Sequence, residues 1–207
     1  MFIWQNKKWP QFQWSLEILL PLLLEIRRKQ GELTHRGFSA YNKIDQVLTH
    51  KLLMQWKAHT SLPVQNYRNF AVPTAPHPDY INAEMNRFLR WFNFNDKKID
   101  GLLRAGIAHL WFLTIRPFDD GNQRVAAIIT DLALAQDEKI NFKRDSLSSV
   151  ILKEKHSYND ILLKTQNNSA DLSITVWLQW FLNAYHRSLL DCASKVEKNI
   201  QVEQYWL

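Results

Sequence analysis

Glycine and cysteine are the scarce residues of this chain. Five glycines in 207 residues leave little material for the tight turns that sheet-rich folds rely on. Neither G-x-G-x-x-G nor G-x-x-x-x-G-K occurs, so the standard dinucleotide and P-loop fingerprints are excluded. The single cysteine, Cys192, rules out an internal disulfide framework and a cysteine-built metal site. It points to a reducing, cytoplasmic setting. Long apolar runs are missing too. The longest, "ILLPLLLEI", is far short of the roughly 20 residues that cross a bilayer, so no membrane span is expected. The opening "MFIWQNKKWPQFQW" lacks the charged-then-apolar order of a signal peptide.

What is present is apolar and aromatic. Hydrophobic residues make up 46% of the chain and aromatics 13%, enough for a real core in one domain of ordinary size. The net charge is +6, but the basic residues are scattered, as in "RRK" at 27–29. A solvated surface accounts for them, and nucleic acid is not an expected partner.

Residues 15–30, "SLEILLPLLLEIRRKQ", read as an apolar helix with Ser15 as N-cap and Gly31 as its stop. Pro21 is expected to kink it or to confine its regular part to later residues. Ile44, Val47, Leu48 and Leu52 fall at helical spacing. Prolines 63, 73, 76 and 78 exclude a long helix from His59 to Asp79, and "LPVQNYRNFAV" suits a short hairpin or extended flap. Asp79 is placed as the cap of an amphipathic helix whose inner face holds Ile81, Met85, Phe88, Leu89 and Phe92. Residues 99–115 and 125–136 are apolar on nearly all sides, the pattern of helices buried in a bundle. Ser146 can cap a helix reaching Gln166, and Asp171 or Ser173 a last one running past Phe181. The architecture that follows is all-α.

Between the two buried helices lies "RPFDDGNQR", residues 116–124. A helix starting near Gly121 would present backbone N–H groups that have no partner within the helix. Its dipole adds partial positive charge, which favours phosphate or carboxylate. Gly121 allows close backbone approach, and Arg124 could fork onto phosphate oxygens. A carboxylate at Asp120 fits such a site if Mg²⁺ bridges it to the phosphates. Phe118 would anchor the loop in the core. Spacing alone favours a plainer reading, in which the aspartates cap the helix and pair with the arginines.

The same stretch resembles the Fic family signature, H-P-F-x-(D/E)-G-N-G-R-x-x-R, here "RPFDDGNQRVAA". The N-terminal "WQNKKWPQFQWSLEILLPLLLEIRRKQGEL" is similar to a helical segment that precedes the Fic domain in one subgroup. "MNRFLRWFN", "AHLWFLTI", "TDLALAQDE" and "LSITVWLQWFL" are similar to that subgroup as well. The resemblance implies a Fic-type helical bundle with a small β-hairpin flap and an N-terminal helical appendage. Residues 1–33 form the appendage, 34–53 a shortened connection, and 54–207 the Fic-like domain. It further implies transfer of AMP from ATP to a Ser, Thr or Tyr hydroxyl of an unidentified protein target, with Mg²⁺ as cofactor. By position, Asp120 is then the metal ligand, Gly121, Asn122, Gln123 and Arg124 hold the nucleotide, and Val64, Tyr67, Phe70 and Val72 lie in the flap that docks the target.

The departures from the signature are as informative. Arg116 stands at the position of the catalytic histidine, and arginine does not give up its proton in proteins. A positioned base is worth about 10²–10⁴ in rate, and Asp119 is the nearest substitute. Gln123 replaces a glycine and Ala127 an arginine. The family's restraining S/T-x-x-x-E-G/N sequence is absent. The expected function is therefore a Fic-fold pseudoenzyme that keeps Mg–nucleotide binding. The alternatives are an active nucleotidyl- or phosphotransferase with a non-standard mechanism, and a non-catalytic interaction module. Of the histidines, His109 is expected to be a hydrogen-bonded core residue, and Tyr158 to serve packing.

Overall fold

The structure, a computed structural model, describes residues 16–35, 76, 78–93, 99–118, 120–138, 147–167 and 173–205. Seven helices occur among them: α1 (Leu16–His35), α2 (Pro78–Asn93), α3 (Gly101–Ile115), α4 (Asn122–Glu138), α5 (Leu147–Lys153), α6 (Lys155–Asn167) and α7 (Thr175–Tyr205). No strand element is found among the described residues. The fold is all-α, as the apolar periodicity indicated. No described helix is long and apolar enough to cross a membrane. The proposed flap and residues 1–15 lie outside the described residues, as do Asp119, Ser146, Asp171 and all of the connection expected at 34–53 except its first two residues, which continue helix α1.

Helix α3 is the axis of the bundle, and all fifteen of its residues are buried. It packs most extensively against α4, its partner across the loop, and also against α2 and α7. Asp100 caps its N-terminus by accepting a hydrogen bond from Leu102 N at 2.8 Å. The inner face of α2 matches the periodicity, with Ile81, Met85, Phe88, Leu89 and Phe92 all buried. Phe88 meets Trp111 edge-on at 5.5 Å, a geometry suited to the ring quadrupoles. Helix α7 lies against α1, α3, α5 and α6. There Gly106 lets it approach, because a Cβ at that position would sit 2.9 Å from both Leu178 Cδ2 and Phe181 Cδ1. The indole of Trp177 donates to Gly106 O at 2.9 Å.

A buried arginine ties the far ends of two helices to α3. Arg104, 4% exposed, donates to Phe92 O at 3.3 Å, Ala133 O at 3.1 Å and Gln136 Oε1 at 2.9 Å. Its guanidinium lies 5.2 Å from the centre of the Phe92 ring. Burial lowers its pKa from the ordinary value, with the charge of Asp137 acting in the opposite direction. The positive group meets the carbonyl-rich C-terminal parts of α2 and α4, where a cation is favoured.

Several boundaries differ from the sequence reading. Helix α1 begins before Pro21 and continues through Gly31 to His35. The proline costs one intrahelical bond near the exposed start of the helix, while Leu19, Leu23 and Ile26 hold the inner face buried. Asp79 lies inside the first turn of α2, which begins at Pro78, and proline suits that first helical position. The single helix expected up to Gln166 is bent at Glu154 into α5 and α6. Backbone bonds run through the bend, from Glu154 N to Val150 O and from Tyr158 N to Glu154 O, both 2.9 Å. No proline or glycine marks the bend in the sequence. Ser173 does reach the start of α7, its Oγ lying 3.5 Å from Thr175 N.

Candidate functional site

The loop joining α3 to α4 starts with a residue in an uncommon conformation. Pro117 disfavours a right-handed helical conformation at the residue before it. Arg116 ends α3 at φ 47°, ψ 61°, in the left-handed region, and its N–H donates to Phe112 O at 2.9 Å. That conformation costs a residue with a Cβ about 1–2 kcal/mol. Arg116 is also the only non-glycine residue at positive φ among those described. Such strain concentrates at functional loops.

Phe118 is half-buried and packs on Phe112, with ring centres 6.2 Å apart, so it anchors the loop as expected. The turn is closed by Asn122. Its Oδ1 accepts from Phe118 N at 3.1 Å, and its Nδ2 donates to Phe118 O at 2.6 Å. The side chain assigned to nucleotide binding is thus turned inward, 5% exposed, and spans the loop. What Asn122 offers a ligand is its backbone N–H in the first turn of α4. Gly121 precedes it at φ 79°, a conformation natural to glycine, and its carbonyl accepts from Val125 N at 3.0 Å.

The outer side of the loop is polar and open. Asp120, Gln123 and Arg124 are exposed. Arg124 Nη2 and Asp120 Oδ2 are 3.6 Å apart, with side chains 81% and 97% exposed. An exposed pair of this kind contributes little to stability, so an incoming anion or cation could exchange with either partner. The loop and the first turn of α4 thus carry Asp120, Gly121, Asn122, Gln123 and Arg124, and Arg116 caps the helix before them. Val64, Tyr67, Phe70 and Val72, assigned to target docking, lie outside the described residues.

Behind the loop is a polar cluster that sequence reasoning left as separate core residues. His109 is fully buried. Its Nδ1 lies 2.9 Å from Thr130 Oγ1 and its Nε2 3.0 Å from the Tyr158 hydroxyl. Burial pushes its pKa down to about 3, partly offset by a hydrogen bond to the Ala126 backbone. Burial also raises the Tyr158 phenol above its ordinary pKa, while the charge of Arg116 pulls it down. The sequence signal was His109 within the largely apolar run of α3 and Thr130 within the apolar middle of α4, since buried polar groups must find partners.

Comparisons with known proteins bear on the family and the fold. Residues 33–134 match the model of the Fic/DOC family, and residues 2–62 match a domain of unknown function, DUF4172. A protein from Aquifex aeolicus (strain VF5), named "Probable protein adenylyltransferase", is 28% identical over 125 residues, covering 55% of this chain and 38% of its own length. The crystal structure of a Fic family protein from Desulfovibrio desulfuricans G20 superposes with a TM-score of 0.53 at 16% identity, over 86% of this chain and 64% of that one. The chain therefore spans less than two thirds of either relative. It belongs to the Fic/DOC family, and the loop at 116–124 lies within the residues that match the family model.

Proposed function

We propose that this chain is a Fic-family protein that retains an anion-binding loop for a Mg–nucleotide but has lost ordinary AMP transfer to proteins. The observation that carries the reading is Arg116 at the position of the signature histidine. A guanidinium has no lone pair available to take a proton from a target hydroxyl. The imidazole on the preceding helix offers no replacement, since His109 is fully buried and both of its ring nitrogens are engaged.

Retention of the anion loop is supported by Gly121 at positive φ, the start of α4 at Asn122 and the exposed arm of Arg124. The exposed carboxylate of Asp120 is a hard oxygen donor, held by only a loose ion pair, and suits a Mg²⁺ ion that takes its remaining ligands from phosphates and water. Mg²⁺ there would neutralise phosphate charge. Arg124 would fix the phosphate oxygens, and Arg116 would add positive charge at the mouth of the loop. By the family resemblance, a protein target would align on the segment holding Val64, Tyr67, Phe70 and Val72. The lone Cys192 is in keeping with a cytoplasmic location.

Calorimetry with Mg·ATP on the native chain and on Arg124→Ala tests the binding half of the reading. Saturable binding that weakens about ten- to hundredfold in the variant is expected, from the loss of a charge-assisted hydrogen bond. Absence of binding at millimolar ATP would sink it. The catalytic half is tested with labelled ATP in a lysate: no labelled protein is expected from the native chain, and labelling that vanishes in Arg116→Ala would overturn it. In Arg116→His, restored transfer is expected.

A further inference from the structure

Helix α6 buries two of its residues, Tyr158 and Gln166, and each makes a hydrogen bond to α3. The Tyr158 hydroxyl lies 3.0 Å from His109 Nε2. Gln166 Nε2 donates to Thr114 Oγ1 at 3.1 Å. The two helices are not a closely packed pair, since the backbone of α6 runs against α5 and α7. Side chains therefore make the reach from α6 to α3. The aliphatic residues of α6 sit nearer the solvent: Ile161 and Leu162 are half-buried and Leu163 is exposed.

The direction of the second bond follows from proton counting. The Thr114 hydroxyl donates to Leu110 O at 2.7 Å, which commits its one proton, so Oγ1 can only accept from the Gln166 amide. Gln166 and Thr114 are each 5% exposed. Glutamine is ordinarily a surface residue. Burying it costs desolvation of the amide and the rotamer freedom of a long side chain. An apolar side chain of similar volume avoids the first cost, so what the amide adds is direction: it fixes where Thr114 and the last turn of α3 stand.

Two residues beyond Thr114 the helix ends at Arg116, whose left-handed backbone at φ 47° persists only where surrounding contacts hold it. Its N–H is bonded within the same turn, to Phe112 O, and the Phe112 ring is the one on which Phe118 rests. A shift of that last turn would reach both the strained residue and the anchor of the loop. We propose that Gln166 is a positioning residue for the loop at 116–124: by holding Thr114 it keeps the last turn of α3 in the placement from which Arg116 turns the chain toward Gly121 and the start of α4. The consequence for a ligand, weaker binding when the turn is loosened, rests on the anion-binding reading above. The placement itself does not.

The test uses the full chain without nucleotide, so it remains decisive if Mg·ATP does not bind. Amide hydrogen exchange is read residue by residue by NMR in the native chain and in Gln166→Met, which keeps most of the bulk and removes the amide. Exchange at Ile115 and Arg116 is expected to accelerate about fivefold or more, the scale of one lost hydrogen bond, while Ala105 and Ala108 in the middle of α3 keep their native rates. A merely structural role would lower protection along the whole of α3. That outcome, like an unchanged rate at Arg116, overturns the proposal. If Gln166→Met does not fold, Thr114→Val and Thr114→Ser take its place, since valine keeps the shape without the acceptor and serine keeps the hydroxyl. Faster exchange at Arg116 in Thr114→Val, with the native rate in Thr114→Ser, is expected; equal rates in the two overturn the proposal.

Discussion

The Tyr158 hydroxyl lies 3.0 Å from Nε2 of His109, and this contact fastens α6 to α3, the helix that precedes the loop at 116–124. Both residues are essentially without solvent exposure. The imidazole between them is therefore a neutral structural element, and this has a consequence for acid stability.

Burial disfavours the charged form of His109 and pushes its pKa in the folded protein down to about 3, whereas in the unfolded chain an imidazole keeps its ordinary value of about 6.5. Between those values the unfolded chain binds a proton that the folded chain does not. The stability His109 contributes is complete above pH 6.5 and is lost as pH falls toward 3, with a slope of up to about 1.4 kcal/mol per pH unit. Urea midpoints measured from pH 7.5 to 4.5 should fall steadily, and His109→Gln should flatten that part of the profile. A native profile already flat over this range would contradict the buried neutral imidazole.

Asn122 spans its own loop by two hydrogen bonds to Phe118. Asn122→Ala leaves the N–H and C=O of Phe118 without these partners, and the expected cost is about 1–3 kcal/mol. Faster amide exchange at Phe118, with the core of α3 unaffected, would locate the effect in the loop.

Gly106 lies where α7 crosses α3. In Gly106→Ala the new methyl group would press on Leu178 and Phe181 at 2.9 Å. The expected loss is about 1–3 kcal/mol from overpacking, partly relieved if the Phe181 ring turns. Denaturant unfolding followed by tryptophan fluorescence would measure it, since Trp177 binds the Gly106 carbonyl.

Arg104→Met should keep much of the packing against Phe92 while removing the hydrogen bonds to Phe92 O, Ala133 O and Gln136. A loss of about 1.5–3 kcal/mol is expected, as for hydrogen bonds made by a charged group. If midpoints in urea are unchanged, the guanidinium contributes only its bulk.

Much of this was legible in the chain itself. The inner face of α2 and the full burial of α3 follow from apolar spacing, because each helix must hide whatever apolar surface its period presents. The loop was legible for a different reason. Proline restricts the backbone before it, glycine permits the positive φ that the turn uses, and asparagine bonds back across the loop, so the turn is set locally. The boundaries of α1 and the bend at Glu154 were less legible. A proline inside a helix costs about 3 kcal/mol and a glycine about 1 kcal/mol relative to alanine, and the burial of Leu19, Leu23 and Ile26 outweighs them.

The sequence by itself determined an all-α bundle and the turn at 116–124, with an arginine at 116 where the family resemblance implies a histidine, since residue identity and local backbone preference act without reference to distant parts of the chain. Tertiary structure alone decided that Asn122 turns inward, and that His109, Thr130 and Tyr158 meet in one buried cluster. Those three residues come from three different helices. No local preference selects one buried polar partner over another. Only the packing of α3, α4 and α6 brings each donor to its acceptor, and the cost of leaving any of them unpaired in the interior makes the arrangement specific.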